Sequence, residues 1–548
     1  MDTHWAIDLG TTNTVIARWQ GTHAETVDLE SVAEHEPAWQ TPLIPSLVFF
    51  EDMEQGFIGK EAIAADEVLR ATYAGRLTPL ARAFKRTLGR SSQQPVAEVG
   101  HQQVSARACA TLFLRKILAL VNDRERDITW SAVPKWHVLR RFVMWARREG
   151  LVNDLTMTVP VDSFEPYRME LYNIARRLGV QRFRWLDEPV AAALGYGVDL
   201  SDDRNLLVAD FGGGTLDIAI VRTNLAQAAG APGPAAGRRR AEVISARGLS
   251  LGGETVDEWV TDAACAKLAA HAETFRPIIR AQAERVKREL SGKVLTTEGT
   301  VFRLPGSAEP LELTRREFLD TLEARRLLEM VGQCTDAVLE DAAHRCSIVD
   351  LDAVLLVGGS TMLPGIRELF ERKFGASRVH YWEPFEAVVK GAAIYGAGYY
   401  VDQIIHHDYA IRVFNEQAQR AEYELLIKRG TPYPTQTGFQ TRYYSAATRQ
   451  QFFSLPVCEV GYAGRLAIGW QRRGNGNDYW QPDQTEEGEC VVTLNEADAV
   501  RLSPPGADSR TRLRIDFHID EQRWLCATMH DLLRGRDVRT DDRVVRLR

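Results

Sequence analysis

Twice in this chain an apolar strand runs into an aspartate, a glycine turn and a threonine, and then into a second strand. The first copy is Ile7-Asp8-Leu9-Gly10-Thr11-Thr12-Asn13-Thr14-Val15. Gly10 lets the backbone turn sharply, so amide N–H groups and the Thr11 and Thr12 hydroxyls can face phosphate oxygens. Asp8 would repel a phosphate, and its natural role beside one is to hold Mg²⁺, usually through water. Alone, this segment would also serve as a plain β-hairpin with polar turn residues. The second copy is Val208-Ala209-Asp210-Phe211-Gly212-Gly213-Gly214-Thr215-Leu216-Asp217. Three consecutive glycines cost too much backbone entropy to serve a simple turn, and they suit a backbone that must approach something closely. The pair predicts a duplicated lobe, each half gripping a nucleotide from one side.

A third segment, Val354-Leu355-Leu356-Val357-Gly358-Gly359-Ser360-Thr361-Met362-Leu363-Pro364, is a buried strand ending in Gly-Gly. A hydroxyl there can cap the next helix, with Pro364 near its first turn. Helix N–H groups and flat glycine backbone can accept a nucleotide's sugar and base. By itself this would read as a routine strand-to-helix turn. A fourth element is helical: Ile279, Ala283, Val286 and Leu290 form an apolar stripe, and Glu284, Lys287, Arg288 and Ser291 fall on a separate polar face. A solvated face is the bland reading of such a stripe.

Composition narrows the classes. With 45% hydrophobic and 26% charged residues over 548 positions, the chain suits a soluble protein of several domains. A net charge of -7 argues against a nucleic-acid-binding body, which needs a basic surface. Arg238-Arg239-Arg240, after the flexible Ala228–Pro234 stretch, reads as a solvated loop or, less simply, a partner site. The seven cysteines are scattered without C-x-x-C spacing, as expected in a reducing compartment. No run is long enough to span a bilayer, and a strand begins within the first ten residues, leaving no room for a signal peptide. The expected location is cytoplasmic.

Residues 1–400 alternate short β runs with amphipathic helical stretches, the pattern of an α/β domain. Expected helices cover Val104–Val121, Glu165–Leu178 and Glu254–Ala272. Residues 401–409 read as a linker. Residues 410–548 shift to period-two strands, among them Tyr423–Ile427, Leu513–Ile519 and Val544–Leu547, and read as a β-sandwich.

Taken together, these motifs resemble the ATPase domain of the seventy-kilodalton heat-shock chaperones over most of residues 4–398. Supporting segments are Ala83–Arg90 with its lysine Lys85, Met157-Thr158-Val159-Pro160 with Arg168 beyond it, Leu186–Leu194 with Glu188, and Leu249–Glu254 with Gly253. The resemblance implies a two-lobed actin-like (ribonuclease H-like, duplicated) ATPase domain followed by a substrate-binding β-sandwich. It implies ATP/ADP and Mg²⁺ as cofactors, with Asp8, Asp210 and Asp217 at the metal. Gly10, Thr11, Thr12, Asn13, Gly212, Gly213, Gly214 and Thr215 would hold phosphates. Gly253, Glu284, Lys287, Arg288, Ser291, Gly358, Gly359, Ser360 and Met362 would hold sugar and base. Lys85, Glu188, Thr215 and Asp217 would be catalytic, and Pro160 with Arg168 would relay signals between domains. Implied partners are unfolded or extended apolar peptides, a J-domain cochaperone and a nucleotide exchange factor. More faintly, Leu426–Thr435 and Leu513–Asp531 resemble strands of the family's sandwich. The chain ends about where the family's helical lid would start, so a lidless member with faster peptide release is expected.

Several positions depart from the family. Met362 stands where an adenine-stacking arginine is usual, and Glu383-Pro384-Phe385-Glu386 has lost an aspartate. The acidic, leucine-rich linker is replaced by Asp402-Gln403-Ile404-Ile405-His406-His407-Asp408, whose histidine pair reads as solvated. An insertion near residues 123–152 carries Trp130, Trp136, Trp145 and the basic run Arg140–Arg148, and reads as core packing or as a partner-binding element. Three functions compete: an ATP-dependent peptide-binding chaperone, a nucleotide-gated scaffold for one dedicated partner, and a small-molecule kinase of the actin-like superfamily. The kinase is weakest, because such enzymes lack the Glu188-Pro189 segment and a β-sandwich tail.

Overall fold

The structure, a computed structural model, describes the chain except residues 1–3, 37–39, 70–77, 90–94, 133–151, 162, 198–203, 225–239, 269–271, 293–298, 305–309, 382–384, 399, 403, 406, 416–419, 462–467, 473–475, 496–498, 507–509, 521–522 and 548. Arg90, Trp136, Trp145, Arg140–Arg148, Ala228–Pro234, Arg238, Arg239, Glu383, Pro384, Gln403 and His406 therefore lie outside the described residues. The chain divides into two compact units, Met1–Val401 and Asp402–Arg548.

Two sheets of the first unit share one plan. In the first sheet, β1 (His4–Leu9) is flanked on one side by β2 (Asn13–Trp19) and then β3 (Pro42–Pro45), both antiparallel. On its other side lie the parallel strands β4 (Asp154–Val159) and β5 (Arg182–Asp187). In the second sheet, β6 (Arg204–Phe211) pairs antiparallel with β7 (Leu216–Asn224), which pairs with β8 (Arg240–Leu249). The parallel neighbours are β9 (Ala353–Val357) and β10 (Val379–His380). The strands that carry Asp8 and Asp210 are thus equivalent, and the hairpin registers agree. Asp8 faces Val15 and Asp210 faces Asp217, each seven residues on. The continuous apolar runs predicted as buried strands, such as Ala353–Val357, are buried along their whole length, as strands covered on both faces must be.

The helices of this unit include α1 (Ala106–Ala132), α2 (Glu165–Arg177), α3 (Glu188–Gly197), α4 (Gly253–Ala266), α5 (Ala272–Ser291), α6 (Leu327–Ala342) and α7 (Ala387–Gly396). All but α4 and α5 pack on these sheets; α4 and α5 pack on each other and on a small hairpin, Gly299–Phe302 with Leu311–Thr314. The helix expected over Glu254–Ala272 ends at Ala266, and α1 runs eleven residues past the expected Val121 into the insertion. Helices α3 and α7 approach at backbone contact. A Cβ built on Gly391 would overlap the Ala191 carbonyl, and one on Gly195 would overlap that of Ala387. Small residues at these positions are what let two backbones meet.

The second unit is β-rich. A six-stranded sheet includes β11 (Asp408–Asn415), β12 (Arg420–Ile427), β14 (Val457–Val460), β15 (Asp478–Trp480) and β16 (Val491–Thr493). A four-stranded sheet runs β13 (Gln440–Ser445), β17 (Thr511–Ile519), β18 (Trp524–Asp531), β19 (Arg536–Arg546). One core takes inward side chains from both, including Tyr409, Ile411 and Ile427 from the first and Ile515, Phe517 and Leu525 from the second.

The expected linker behaves differently from its reading. Ile404 and Ile405 are buried, Gly430 donates a backbone hydrogen bond to the Ile405 carbonyl, and β11 already begins at Asp408. His407, expected to be solvated, is 1% exposed. Ile405 seats the segment on the second core, and Ile404 forms a β-bridge with Pro432, carrying His407 inside with them.

Candidate functional site

The two hairpin turns meet. A Cβ built on Gly213 would overlap the Thr12 hydroxyl, and one on Gly214 would overlap the Thr11 hydroxyl. Only glycine leaves room at these two positions for the facing threonines; Gly212 has ordinary space around it. Each turn is braced from its own side. Ser46 Oγ donates to the Gly10 carbonyl at 2.8 Å. Gly253 N and Glu254 N, the first amides of α4, donate to the carbonyls of Gly212 and Gly213. Ser360 Oγ donates to the Gly212 carbonyl at 2.7 Å. The sequence suggested a hydroxyl capping the next helix; instead Ser360 holds the glycine turn, and the helix Ile366–Phe374 starts from Gly365 without a side-chain cap.

Behind the turns lies a buried charge cluster. Lys85 sits on a 3₁₀ turn whose Phe84 is anchored against Phe113 of α1, and its Nζ meets Glu188 Oε1 at 2.7 Å. Asp8 accepts from Thr158 Oγ1 at 2.6 Å, across the parallel β1/β4 pairing. Asp217 accepts from the Val161 backbone at 2.8 Å. Burial raises Asp8, with Lys85 and the Thr158 hydrogen bond pulling the other way. Burial also raises Asp210 and Glu188, neighbouring carboxylates add to it, and Lys85 opposes. Glu188 is pushed up to about 8. Burial opposes the Lys85 charge, yet Glu188 and Asp8 outweigh it and raise the lysine, which stays cationic. One lysine thus faces four carboxyl groups, the buried Glu188, Asp210 and Asp217 and the partly buried Asp8. Oxygen donors short of positive charge are the chemistry of a Mg²⁺ site, so the residues fit that ion.

The sugar-and-base residues are brought together only in part. Lys287 Nζ donates to the Gly253 carbonyl at 3.0 Å and pairs with Asp257 at 2.9 Å. A Cβ on Gly253 would lie 2.9 Å from Lys287 Nζ and 3.0 Å from Ser360 Oγ, so these three line one corner. Gly358, at φ +83, passes directly over Phe211 and Asp210. Glu284 acts electrostatically on Asp257. Arg288 is exposed, Met362 is 47% exposed, and Ser291 Oγ is turned back to the Lys287 carbonyl. Phe385, at the position of the lost aspartate, lies against Gly359.

Pro160 and Arg168 join the cluster from the side. Ser163 Oγ donates to the Pro160 carbonyl and accepts from Arg168 Nε, while Arg168 pairs with Asp187 at 3.1 Å. Asp187 adjoins Glu188, and Val161 adjoins Pro160, so the turn is tied at both ends to the carboxyl cluster. Sequence reading missed Thr158, Ser46, Asp257 and Tyr167. Tyr167 is buried against the cluster, its phenol pushed up to about 12 by burial with Lys85 opposing. Thr158 lies in the Met157–Pro160 segment but was given no role there, and no motif marks the other three; neighbouring strands and helix turns bring them in.

Over residues 5–408 the chain matches the sequence profile of the Hsp70 protein family. The chain belongs to the Hsp70 family. Members of this family are ATP-dependent chaperones, generally ATPases, and the match takes in both hairpin turns, the charge cluster and the Gly358 strand. Among the described residues no helix is long and apolar enough to cross a membrane.

Proposed function

We propose that this Hsp70-family chain binds Mg·ATP between its two hairpin turns, hydrolyses it slowly, and uses its β-rich unit to hold unfolded or extended apolar peptide segments. The actin-like reading of the first unit rests on the shared plan of its two sheets. The observation that carries the nucleotide reading is the meeting of Gly213 and Gly214 with Thr12 and Thr11 in front of buried Lys85 and Glu188.

Hydrolysis of this kind asks a protein for positioning and charge neutralisation more than covalent chemistry. The Thr11 and Thr12 hydroxyls and the amides of Gly212–Gly214 would hold the phosphates. Lys85 would meet charge building on the γ-phosphate. Glu188 would orient the attacking water, its carboxyl held in place by Lys85 at 2.7 Å, and Thr215 would complete that network. Bound magnesium supplies further neutralisation of the phosphates, and Asp8, Asp210 and Asp217 are the residues that would hold it. Lys287, Gly253 and Ser360 would take the sugar, with Met362 and Phe385 as apolar neighbours of the base in place of a cation. Pro160 and Arg168 would relay the state of the cluster.

The test is ATP turnover by wild type beside Lys85→Ala and Thr215→Ala, with and without apolar peptide. Removing the lysine charge is expected to slow turnover about a hundredfold or more, ~3 kcal/mol. Equal turnover in wild type and Lys85→Ala would overturn the reading. Large exposed apolar side chains in the second unit, Phe414, Tyr443 and Phe452, support peptide capture, and an extended segment would bind by backbone hydrogen bonds with side-chain pockets. A nucleotide-gated scaffold for one dedicated partner is the second reading. The burial of Ile405 in the core of its own unit favours it, because that side chain is not free to report nucleotide state. ATP-dependent release of generic apolar peptides selects the chaperone; no peptide binding at all selects the scaffold.

A further inference from the structure

The outward face of the four-stranded sheet carries a histidine, a cysteine and an aspartate that no step above uses. His518 of β17 stands directly opposite Cys526 of β18 in the antiparallel register. Both point away from the apolar core, since their neighbours Phe517, Ile519, Leu525 and Ala527 fill it. Asp541 comes from β19, the third strand. Between Ala527↔Asp542 and Met529↔Arg539 the pairing slips, so Thr540 and Asp541 together face Thr528. Asp541 adopts φ 52 in this bulge, and its N–H is held by Thr528 Oγ1 at 3.0 Å. A bulge of this kind re-aims a side chain across a sheet. Here it sets Asp541 Oδ1 3.3 Å from His518 Nε2.

We infer that His518, Cys526 and Asp541 form a zinc-binding site on the second unit, with imidazole, thiolate and carboxylate as ligands and a fourth position open to solvent. One donor atom from each residue lies within 4.8 Å of the others. Donors around tetrahedral zinc sit about 3.3–3.8 Å apart, so the histidine–aspartate edge already has the right length and the sulfur must close by ~1 Å. The ligand charges, one thiolate and one carboxylate, balance a divalent ion. A mixed nitrogen and sulfur set selects zinc over magnesium or calcium, which prefer oxygen. Cys526 Sγ reaches the Trp524 carbonyl at 3.7 Å, a weak bond that a metal ion would replace. Arg543, its register partner, is paired with Asp520 at 2.9 Å and lies over the face of Trp524 at 5.6 Å, and its charge favours the Cys526 thiolate. The open fourth position matches zinc sites that present a water or a donor from a bound partner rather than closed structural sites.

The site is independent of the nucleotide turns, and its test does not involve ATP. Untagged full-length protein, stripped with chelator, is titrated with cobalt(II) chloride and followed by absorption. Expected are a thiolate-to-cobalt charge-transfer band and tetrahedral visible bands saturating at one equivalent, both erased by zinc chloride. Cys526→Ser is expected to abolish the charge-transfer band. His518→Asn and Asp541→Asn are expected to weaken cobalt binding ~100-fold or more, as losing a direct ligand must exceed the effect of an outer-shell partner. Circular dichroism confirms that each variant is folded; His518 and Asp541 stand at the surface, so these two remain testable if Cys526→Ser is not. Absence of the band in folded wild type, or its survival in Cys526→Ser or in both surface variants, overturns the site.

Discussion

Lys85 brings a single positive charge to a pocket with four carboxyl groups, three of them buried, and that imbalance governs how the site should titrate. Burial raises Asp8, and burial with repulsion from neighbouring carboxylates raises Asp210 and Glu188, the last to about 8. A carboxyl raised in the free protein holds a proton that an incoming cation must displace. Binding of Mg·ATP should therefore release protons, and apparent affinity should rise as pH climbs toward about 8 and level off above it. The slope is at most about tenfold per pH unit for each proton released. Calorimetric titrations in two buffers of different ionisation enthalpy measure that release directly; no buffer dependence at neutral pH would contradict the raised carboxyls. At this scale the aspartates, the lysine and the glycines were legible in sequence. Tyr167 and Thr158 were not, because their roles depend on a neighbouring strand and helix that no spacing encodes.

At the level of elements, the seven-residue hairpin is used twice, and the pair of helices α3 and α7 is the corresponding duplication on the covering side. Their contact leaves no space for a side chain at Gly391, where an added Cβ would overlap the Ala191 carbonyl. Gly391→Ala should destabilise the first unit by ~3 kcal/mol, since backbone rather than a flexible side chain must move. Gly332, in the middle of α6, has nothing within 4 Å of its Cβ direction. Gly332→Ala should instead stabilise by ~1 kcal/mol through helix propensity. Denaturant midpoints of the two variants should move in opposite directions. Both positions read alike in sequence, a glycine within a helical pattern, and only the approach of a second helix separates them.

For the whole molecule, the division into Met1–Val401 and Asp402–Arg548 leaves less free chain than composition suggested. Ile405 is fully buried and its carbonyl accepts a backbone bond from Gly430, so it belongs to the second core. Ile405→Ala should cost that unit ~2–4 kcal/mol and expose it to limited proteolysis at lower denaturant. A free linker residue would shift it by less than ~0.5 kcal/mol. Sequence alone was enough to establish the α/β body, the strand-rich tail, the paired glycine–threonine turns and the family, because each is written in local patterns of glycine, acid and apolar period. What tertiary structure decided is which of those residues meet: Ser360 on the glycine turn, Met362 and Arg288 left exposed, two isoleucines docked, and His518, Cys526 and Asp541 drawn to one face. Those outcomes depend on strand register, a bulge and backbone approach between distant segments, and such distances have no signature in a linear pattern.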